Sequence, residues 1–358
     1  MILTRLDISS FRNVDEASLS PHPSLNLLTG NNGSGKSSVL EAIQCLSTGH
    51  SFRTRRAREL ISRNASAFTL TALFNDPASK REHRTGLCKQ RDGSVDLRLD
   101  FEEIQSIAEV TRLLPVKSLT PDSHRLIQEG PDERRQFLDW GVFHMEHHYF
   151  DTWRQFKRSL SQRNQLLRDL APDADLRTWD AIFVENAKLL DAYRRAYVEK
   201  LRVALDHRLI ALDAKFHVEL QYRPGWSADF DLEELMVKNL DYHRRMKTTT
   251  DGPHRAELAI QSDKVSARQV LSRGQQKVLV YLLHLAQLDL LKDGQRRQAI
   301  VLCDDLTSEL DVEHSQRLIQ QLVDLQGQVF VSGVNLDVLK QQDHSGYLIE
   351  HGVVKKVV

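Results

Sequence analysis

Ile2, Thr4, Leu6 and Ile8 alternate with other residues at the start of the chain, and this period of two predicts a strand. A second run, Leu25 to Thr29, predicts a strand that leads into the glycine-rich stretch Gly30 to Gly35. The period then changes. Val39, Leu40, Ile43 and Leu46 share one face of a helix expected over Ser37 to Leu46. Further strands are predicted at Phe68 to Phe74 and on either side of Asp92-Gly93, a dipeptide that favours a hairpin turn.

The middle of the chain has a different character. No glycine or proline occurs from Val142 to Ala171 or from Asp173 to Arg223, with Pro172 as the break. Leu189, Tyr193, Tyr197, Leu201, Leu205 and Leu209 recur at every fourth residue, which predicts an apolar stripe on a long helix. A helical lobe built on a pair of antiparallel helices follows. His144, His147 and His148 fall within one predicted helix of this region. The last third returns to mixed elements: a helix over Gln275 to Leu291, strands at Ala299 to Cys303 and Gln328 to Ser332, and a terminal hairpin about His351-Gly352. The expected fold class is α/β: an α/β lobe from residues 1–115 and 256–358, with a helical lobe, residues 116–255, inserted between them.

Composition narrows the class. With 358 residues, 41% of them apolar, the chain can bury a substantial core. Lys+Arg and Asp+Glu both number 49, so nucleic-acid binding would have to come from a local patch. Cys45, Cys88 and Cys303 lie far apart without a CxxC pair, which argues against a disulfide framework and for a reducing cytoplasm. Neither a signal-peptide core nor a run of about 18 apolar residues is present, so a soluble protein without a membrane partner is expected.

Chemistry is concentrated in three segments. Gly30-Asn31-Asn32-Gly33-Ser34-Gly35-Lys36-Ser37 fits the P-loop pattern between a predicted strand and a predicted helix. Its glycines let consecutive N–H groups turn toward phosphate oxygens, and the helix adds the positive end of its dipole. Lys36 reaches the terminal phosphates of ATP and Ser37 can ligate Mg²⁺. Ala299 to Cys303 then reads as a strand buried on both faces that ends in Asp304-Asp305. Acids at that end of a parallel strand face the ligand crevice, so Asp304 is the expected Walker B partner of Mg²⁺. Asp305 is placed to orient or deprotonate water, and with Lys36 it makes up the catalytic candidates. The third segment, Leu271-Ser272-Arg273-Gly274-Gln275-Gln276-Lys277, opens an apolar helix whose N-terminus offers a second phosphate-binding end. Ser272 serves equally well as an ordinary helix cap.

The order P-loop, LSRGQ, Walker B resembles the ABC ATPase superfamily, in which the signature motif of one subunit completes the partner's nucleotide site. On that resemblance Ser272, Gly274 and Gln275 serve the partner's nucleotide, Ser308-Glu309-Leu310-Asp311 looks like the D-loop, and Asp311 joins the site. Within the superfamily the chain is similar to the RecF family of bacterial recombination-repair proteins. The matching segments are Gly30 to Ser38, Ser51-Phe52-Arg53, Pro131 to Asp139 (PDERRQFLD), Gln162-Arg163-Asn164, Asp251 to Arg255 (DGPHR), LSRGQQK and DDLTSELD. Together they run from end to end of the chain and bring Ser38 into the nucleotide loop. The helical lobe is too short for the long coiled coil of SMC relatives.

This resemblance implies a homodimer formed on ATP binding, slow DNA-stimulated hydrolysis, and preference for double-stranded DNA near single-strand junctions. It also implies partnership with RecR and RecO in loading RecA onto coated single strands. Two departures slow the expected hydrolysis. Asp305 stands where the superfamily usually has Glu, and Val331-Ser332-Gly333-Val334-Asn335 replaces the segment that often carries a switch His. A non-hydrolysing, ATP-gated DNA-binding module is the alternative, with another ABC/SMC-type ATPase behind it.

Weaker signals are basic. Arg53, Arg55, Arg56 and Arg58 crowd one segment and could neutralise DNA phosphates, or form a solvated loop paired with acids such as Glu59. Arg134-Arg135, Lys157-Arg158 and Arg163 offer a second basic surface. His144 and His148 have helical i, i+4 spacing but no matched ligand set, so no structural metal is expected.

Overall fold

The computed structural model describes residues 2–76, 79–227, 229–291, 299–305, 317, 320–324, 327–336, 339 and 343–358. Strands β1 (Ile2–Phe11), β2 (Val14–Leu19) and β3 (Leu25–Thr29) lead into helix α1 (Lys36–Thr48). After β4 (Ala67–Asn75), β5 (Glu82–Gln90), β6 (Val95–Leu99) and β7 (Glu102–Glu103) come α2 (Ile107–Leu113) and β8 (Val116–Leu119). The helical stretch holds α3 (Arg125–Gln128), α4 (Pro131–Met145), α5 (Tyr149–Arg168), α6 (Asp173–Ala211), α7 (Leu232–Lys238) and α8 (Leu240–Met246). It also holds β9 (Glu219–Arg223), β10 (Glu257–Ser262), β11 (Val265–Ser266), α9 (Ala267–Val270) and α10 (Arg273–Asp289). Strands β12 (Ile300–Cys303), β13 (Gln328–Gly333), β14 (His344–Glu350) and β15 (Val353–Lys356) complete the described elements.

Two compact units result, one from Met1–Ser123 with Leu291–Val358 and the other from His124–Leu290. In the first, β14, β3, β13, β12 and β8 run parallel, in that order, and β15 adds an antiparallel edge. β12 and β13 are buried along their whole length, as a continuous apolar run requires in a parallel sheet. Their carboxyl ends lie together, so the loop after β3, Asp304 after β12 and Ser332 near the end of β13 converge on one crevice. An antiparallel sheet, β2-β1-β4-β5-β6-β7, forms a second layer. Helix α1 packs on strands of both sheets and buries Val39, Leu40, Ala42, Ile43, Cys45 and Leu46 in their shared core.

β1 corrects the simple alternation. Leu3, Leu6, Ile8 and Phe11 are its buried residues, while Ile2 and Thr4 are only partly covered. The register on β4 shifts between Leu3 and Arg5, and the extra residue of that bulge changes the phase of the inward face.

In the second unit α5 packs along α6, and α4 and α10 also pack on α6. The three-stranded sheet β11-β10-β9 belongs here and was not anticipated. At 39 residues α6 is the longest described helix, too short for a long coiled-coil arm. The every-fourth-residue stripe is only half correct. Tyr197, Leu201, Leu205 and Leu209 are buried, but Leu189 is 42% exposed. A step of four residues advances about 40° beyond one full turn, so a strict stripe leaves any one face within a few repeats. The buried face instead continues through Phe183, Ala187, Leu190 and Arg194. Helix α10 groups with this unit, whereas the sequence division had placed residues from 256 onward with the terminal lobe. The three histidines do not share a helix. His144 ends α4 against the rings of Trp140 and Phe143, and His147 and His148 lie in the connection to α5.

Candidate functional site

Three glycines of the loop after β3 take positive φ: Gly30 at 149°, Gly33 at 77° and Gly35 at 119°. Gly30 has a second reason to lack a side chain, because a Cβ there would stand 2.2 Å from the Ile349 carbonyl oxygen. Gly35 precedes α1 without any side-chain cap, and no acid occupies the first turn. The first N–H groups of α1 therefore remain for an anion, with the helix dipole behind them. Lys36 folds over the loop and donates to the carbonyls of Gly30 at 2.7 Å and Asn31 at 2.9 Å. Burial lowers its pKa, and the negative charges of Asp305 and Asp304 act against that shift. Ser34 Oγ is buried without a hydrogen-bond partner. An orphaned hydroxyl among free N–H groups and a lysine fits a phosphate chain.

Two distant parts of the chain brace this loop. Asn13 donates to the Gly33 carbonyl at 3.3 Å and accepts from Ser38 Oγ at 2.7 Å. Ser34 O accepts the Gly352 N–H at 2.8 Å from the turn between β14 and β15. Residues Gly30 to Ser34 and Leu348 to His351 line one hollow.

Beside the loop, Ser37 Oγ donates to Asp304 Oδ1 at 2.8 Å, and Ser332 Oγ donates to the same oxygen at 2.8 Å. Asp304 is almost wholly buried. The hydroxyl and carboxylate are hard oxygen donors at the mouth of a phosphate loop, a set that suits Mg²⁺. Asp305 has a φ of 52°, and its N–H donates to Ser332 Oγ at 3.0 Å. Ser332, within the segment Val331 to Asn335 that carries no switch His, is thus tied to both aspartates. On the other side, Arg53 Nη2 pairs with Asp304 Oδ2 at 3.1 Å and Nη1 faces Glu41 Oε1 at 3.5 Å. Glu41 is fully buried on α1 and is held through Oε2 by Arg12, at 2.7 and 3.1 Å, and by Ser51. An uncompensated charge at that depth would cost about 3–5 kcal/mol.

The signature segment lies in the other unit. Ser272 caps α10 by accepting the Gln275 N–H, and Gln275 Oε1 returns the bond by accepting the Ser272 N–H. The two residues expected to meet a phosphate form a capping box with each other. Gly274 has open space at its Cβ position. Asp311 and the rest of Ser308 to Asp311 lie outside the described residues.

Arg55, Arg56 and Arg58 are exposed; Arg56 pairs with Glu59 at 3.3 Å and Arg58 donates to the Arg91 carbonyl at 2.9 Å. Within the cluster it is Arg53 that pairs with Asp304. The second basic surface is largely consumed inside its own unit. Arg163 is fully buried on Asp180, Thr249 and His243, Arg134 is bidentate on Glu257, and Arg135 binds the Ala256 carbonyl and Asp132.

Asn13, Arg12 and Glu41 carry no motif-level signal in the sequence, whereas Ser332 lies in the segment Val331 to Asn335 noted for lacking a switch His. Ser51 and Arg53 did carry a signal, as the ends of the quoted Ser51-Phe52-Arg53 segment.

Known proteins share both sequence and fold with this chain. Residues 2–354 match the family described as the RecF/RecN/SMC N terminal domain. The chain is 37% identical to the DNA replication and repair protein RecF of Shewanella piezotolerans, over 99% of each protein. It is 39% identical to RecF of Shewanella baltica, over 94% of this chain and 92% of that one. A solved structure of the recombination mediator protein RecF-ATP in the RecFOR pathway superposes with a TM-score of 0.90 at 25% identity, covering 100% of this chain and 98% of the other. An SMC head bound to the C-winged helix domain of ScpA is similar in fold alone, with a TM-score of 0.61 at 16% identity and coverages of 100% and 97%.

Proposed function

The chain belongs to the RecF family, with the fold of an ABC/SMC-type ATPase head, and we propose that it is an ATP-gated DNA-binding protein of recombinational repair. The observation that carries this reading is the bond between Ser37 Oγ and Asp304, 267 residues apart in sequence and 2.8 Å apart at the mouth of the P-loop. A phosphate loop beside a buried Walker B carboxylate is a nucleotide site, and the RecF-ATP relative supplies the nucleotide class.

In the proposed cycle the P-loop N–H groups, Ser34 and Lys36 hold the phosphates of ATP. Ser37 and Asp304 hold Mg²⁺, which neutralises charge on the phosphates when bound. Asp305 orients the attacking water and accepts its proton. Ser272, Gly274 and Gln275 of a second copy close over the γ-phosphate, and for this the Gln275 side chain must give up its bond to the Ser272 N–H. Closure joins two copies around double-stranded DNA or a single-strand junction, and hydrolysis releases them. On this reading the clamp works with RecR and RecO in loading RecA, a proposal supported by the likeness to a RecF-ATP structure of the RecFOR pathway. Turnover is expected to be slow, because Asp305 is one methylene shorter than the usual Glu and the segment Val331 to Asn335 carries no switch His.

Oligomeric state and DNA affinity, measured in the same samples with and without ATP, test the reading. The wild type should dimerise on ATP and bind DNA more tightly. Arg in place of Ser272 puts a bulky side chain over the N-terminus of α10, so Ser272→Arg should bind ATP as a monomer and fail to dimerise in sedimentation runs. Normal dimerisation of that variant would sink the shared site.

We further propose that the exposed arginine segment meets DNA phosphates. Changing Arg55, Arg56 and Arg58 to Ser should weaken binding and flatten its salt dependence, by about 0.9 in log–log slope for each phosphate no longer neutralised. An unchanged slope would place the DNA elsewhere.

A further inference from the structure

Both oxygens of Asp304 are engaged. Oδ1 accepts the hydroxyls of Ser37 and Ser332, each at 2.8 Å. Oδ2 accepts Arg53 Nη2 at 3.1 Å. The two hydroxyl bonds are compatible with a bound Mg²⁺, since Ser37 Oγ keeps a lone pair for the ion while its O–H goes on donating to Asp304. The guanidinium is not, because two cations compete for one buried carboxylate. Arg53 also has somewhere to go. Its Nη1 already faces Glu41 Oε1 at 3.5 Å, and that fully buried oxygen has no hydrogen-bond partner. The Arg53 side chain is half-exposed and its Nη1 is already within 3.5 Å of that oxygen, so the move is small.

We propose that Arg53 is a stand-in for the metal: its guanidinium neutralises Asp304 until Mg²⁺ arrives with nucleotide, and the ion displaces it onto Glu41. Arg53 thereby sets how much the metal strengthens nucleotide binding. Without the ion the pair keeps a buried carboxylate from standing alone, a condition that would otherwise loosen the crevice. With the ion, part of the metal's binding energy goes into breaking the pair. This inference rests on the Ser37–Asp304 site proposed above.

The test uses ADP, which lacks the γ-phosphate that a freed arginine would also attract. The dissociation constant of ADP is measured by calorimetry in EDTA and in saturating Mg²⁺, and the ratio of the two reports the metal's contribution. In Arg53→Gln that ratio should rise about tenfold over wild type, since one charge-assisted bond no longer has to be broken. Arg63→Gln, which removes an exposed positive charge from the same unit, should leave the ratio alone. Asp304→Asn should bring the ratio close to one in both backgrounds. If Asp304→Asn has that effect but Arg53→Gln matches or falls below wild type, the stand-in role is overturned and the metal site survives. If Asp304→Asn leaves the ratio intact, the metal site itself is misplaced and the inference falls with it.

Discussion

Replacing Asp305 with Asn is expected to lower ATP turnover by about two to four orders of magnitude, the usual loss when a positioned general base is removed. Nucleotide binding should survive, because in the proposed site it rests on the P-loop, Lys36 and the Ser37–Asp304 pair rather than on Asp305. The backbone makes this substitution clean. Asp305 sits at a φ of 52°, a left-handed conformation in which Asn is as well tolerated as Asp. Its N–H bond to Ser332 involves no side-chain atom of Asp305 and persists in the variant. ATP-induced dimers should therefore form and last, and DNA should stay bound longer. Phosphate release under multiple-turnover conditions, with and without DNA, reads the rate, and sedimentation reads the dimer. Loss of ATP binding in Asp305→Asn, with Asp304→Asn retaining it, would reverse the two assignments. If the wild type releases no phosphate even with DNA, the non-hydrolysing clamp is the better reading.

Gly30→Ala is expected to abolish nucleotide binding and to destabilise the fold by roughly 3 kcal/mol or more, the sum of a glycine-only backbone conformation and an overpacked contact. The new methyl would lie 2.2 Å from the Ile349 carbonyl oxygen and 2.8 Å from Ser34 Oγ. Ser34 can rotate away. Ile349 cannot, since β14 is fixed between β3 and β15. The loop must then back off from β14, and its N–H groups lose their aim. Gly33→Ala is the comparison, because nothing lies within 4 Å of its Cβ position and only the φ of 77° is unfavourable. Its cost should stay near about 1 kcal/mol. Thermal melts and ADP calorimetry on both variants check the order. Equal effects would mean that backbone conformation, not the contact with β14, limits this position.

The elements legible in sequence are those whose signal is local. Glycines between a strand and a helix mark the loop after β3, and the apolar run before Asp304-Asp305 marks β12, because a strand buried on both faces leaves no polar alternation. The terminal turn was visible in His351-Gly352, although its contact with the P-loop was not. Features that depend on partners far along the chain left no such mark. Asn13 braces Gly33 across 20 residues, Arg12 meets Glu41 across 29, and Arg53 meets Asp304 across 251. The break between α4 and α5 contains neither glycine nor proline, so nothing in composition announced it. Arg163 reads as a surface cation on a helix and is instead the fully buried centre of a polar cluster with Asp180, Thr249 and His243.

The strand order β14-β3-β13-β12-β8 carries a consequence for how the chain is made. β3 and β8 emerge from the ribosome early, yet they are not neighbours, and the two strands that separate them come from residues 300–333. The strand on the far side of β3 comes later still, at His344–Glu350. A nascent chain that has just released the P-loop sequence therefore holds a nucleotide motif with no sheet around it. The unit formed by His124–Leu290 is contiguous and can fold while synthesis continues. The nucleotide lobe must wait for strands inserted from the far end, a long-range closure of the kind that folds slowly. A ribosome stalled well beyond Leu291 would display a folded helical unit while the strands that wall the P-loop had yet to be completed.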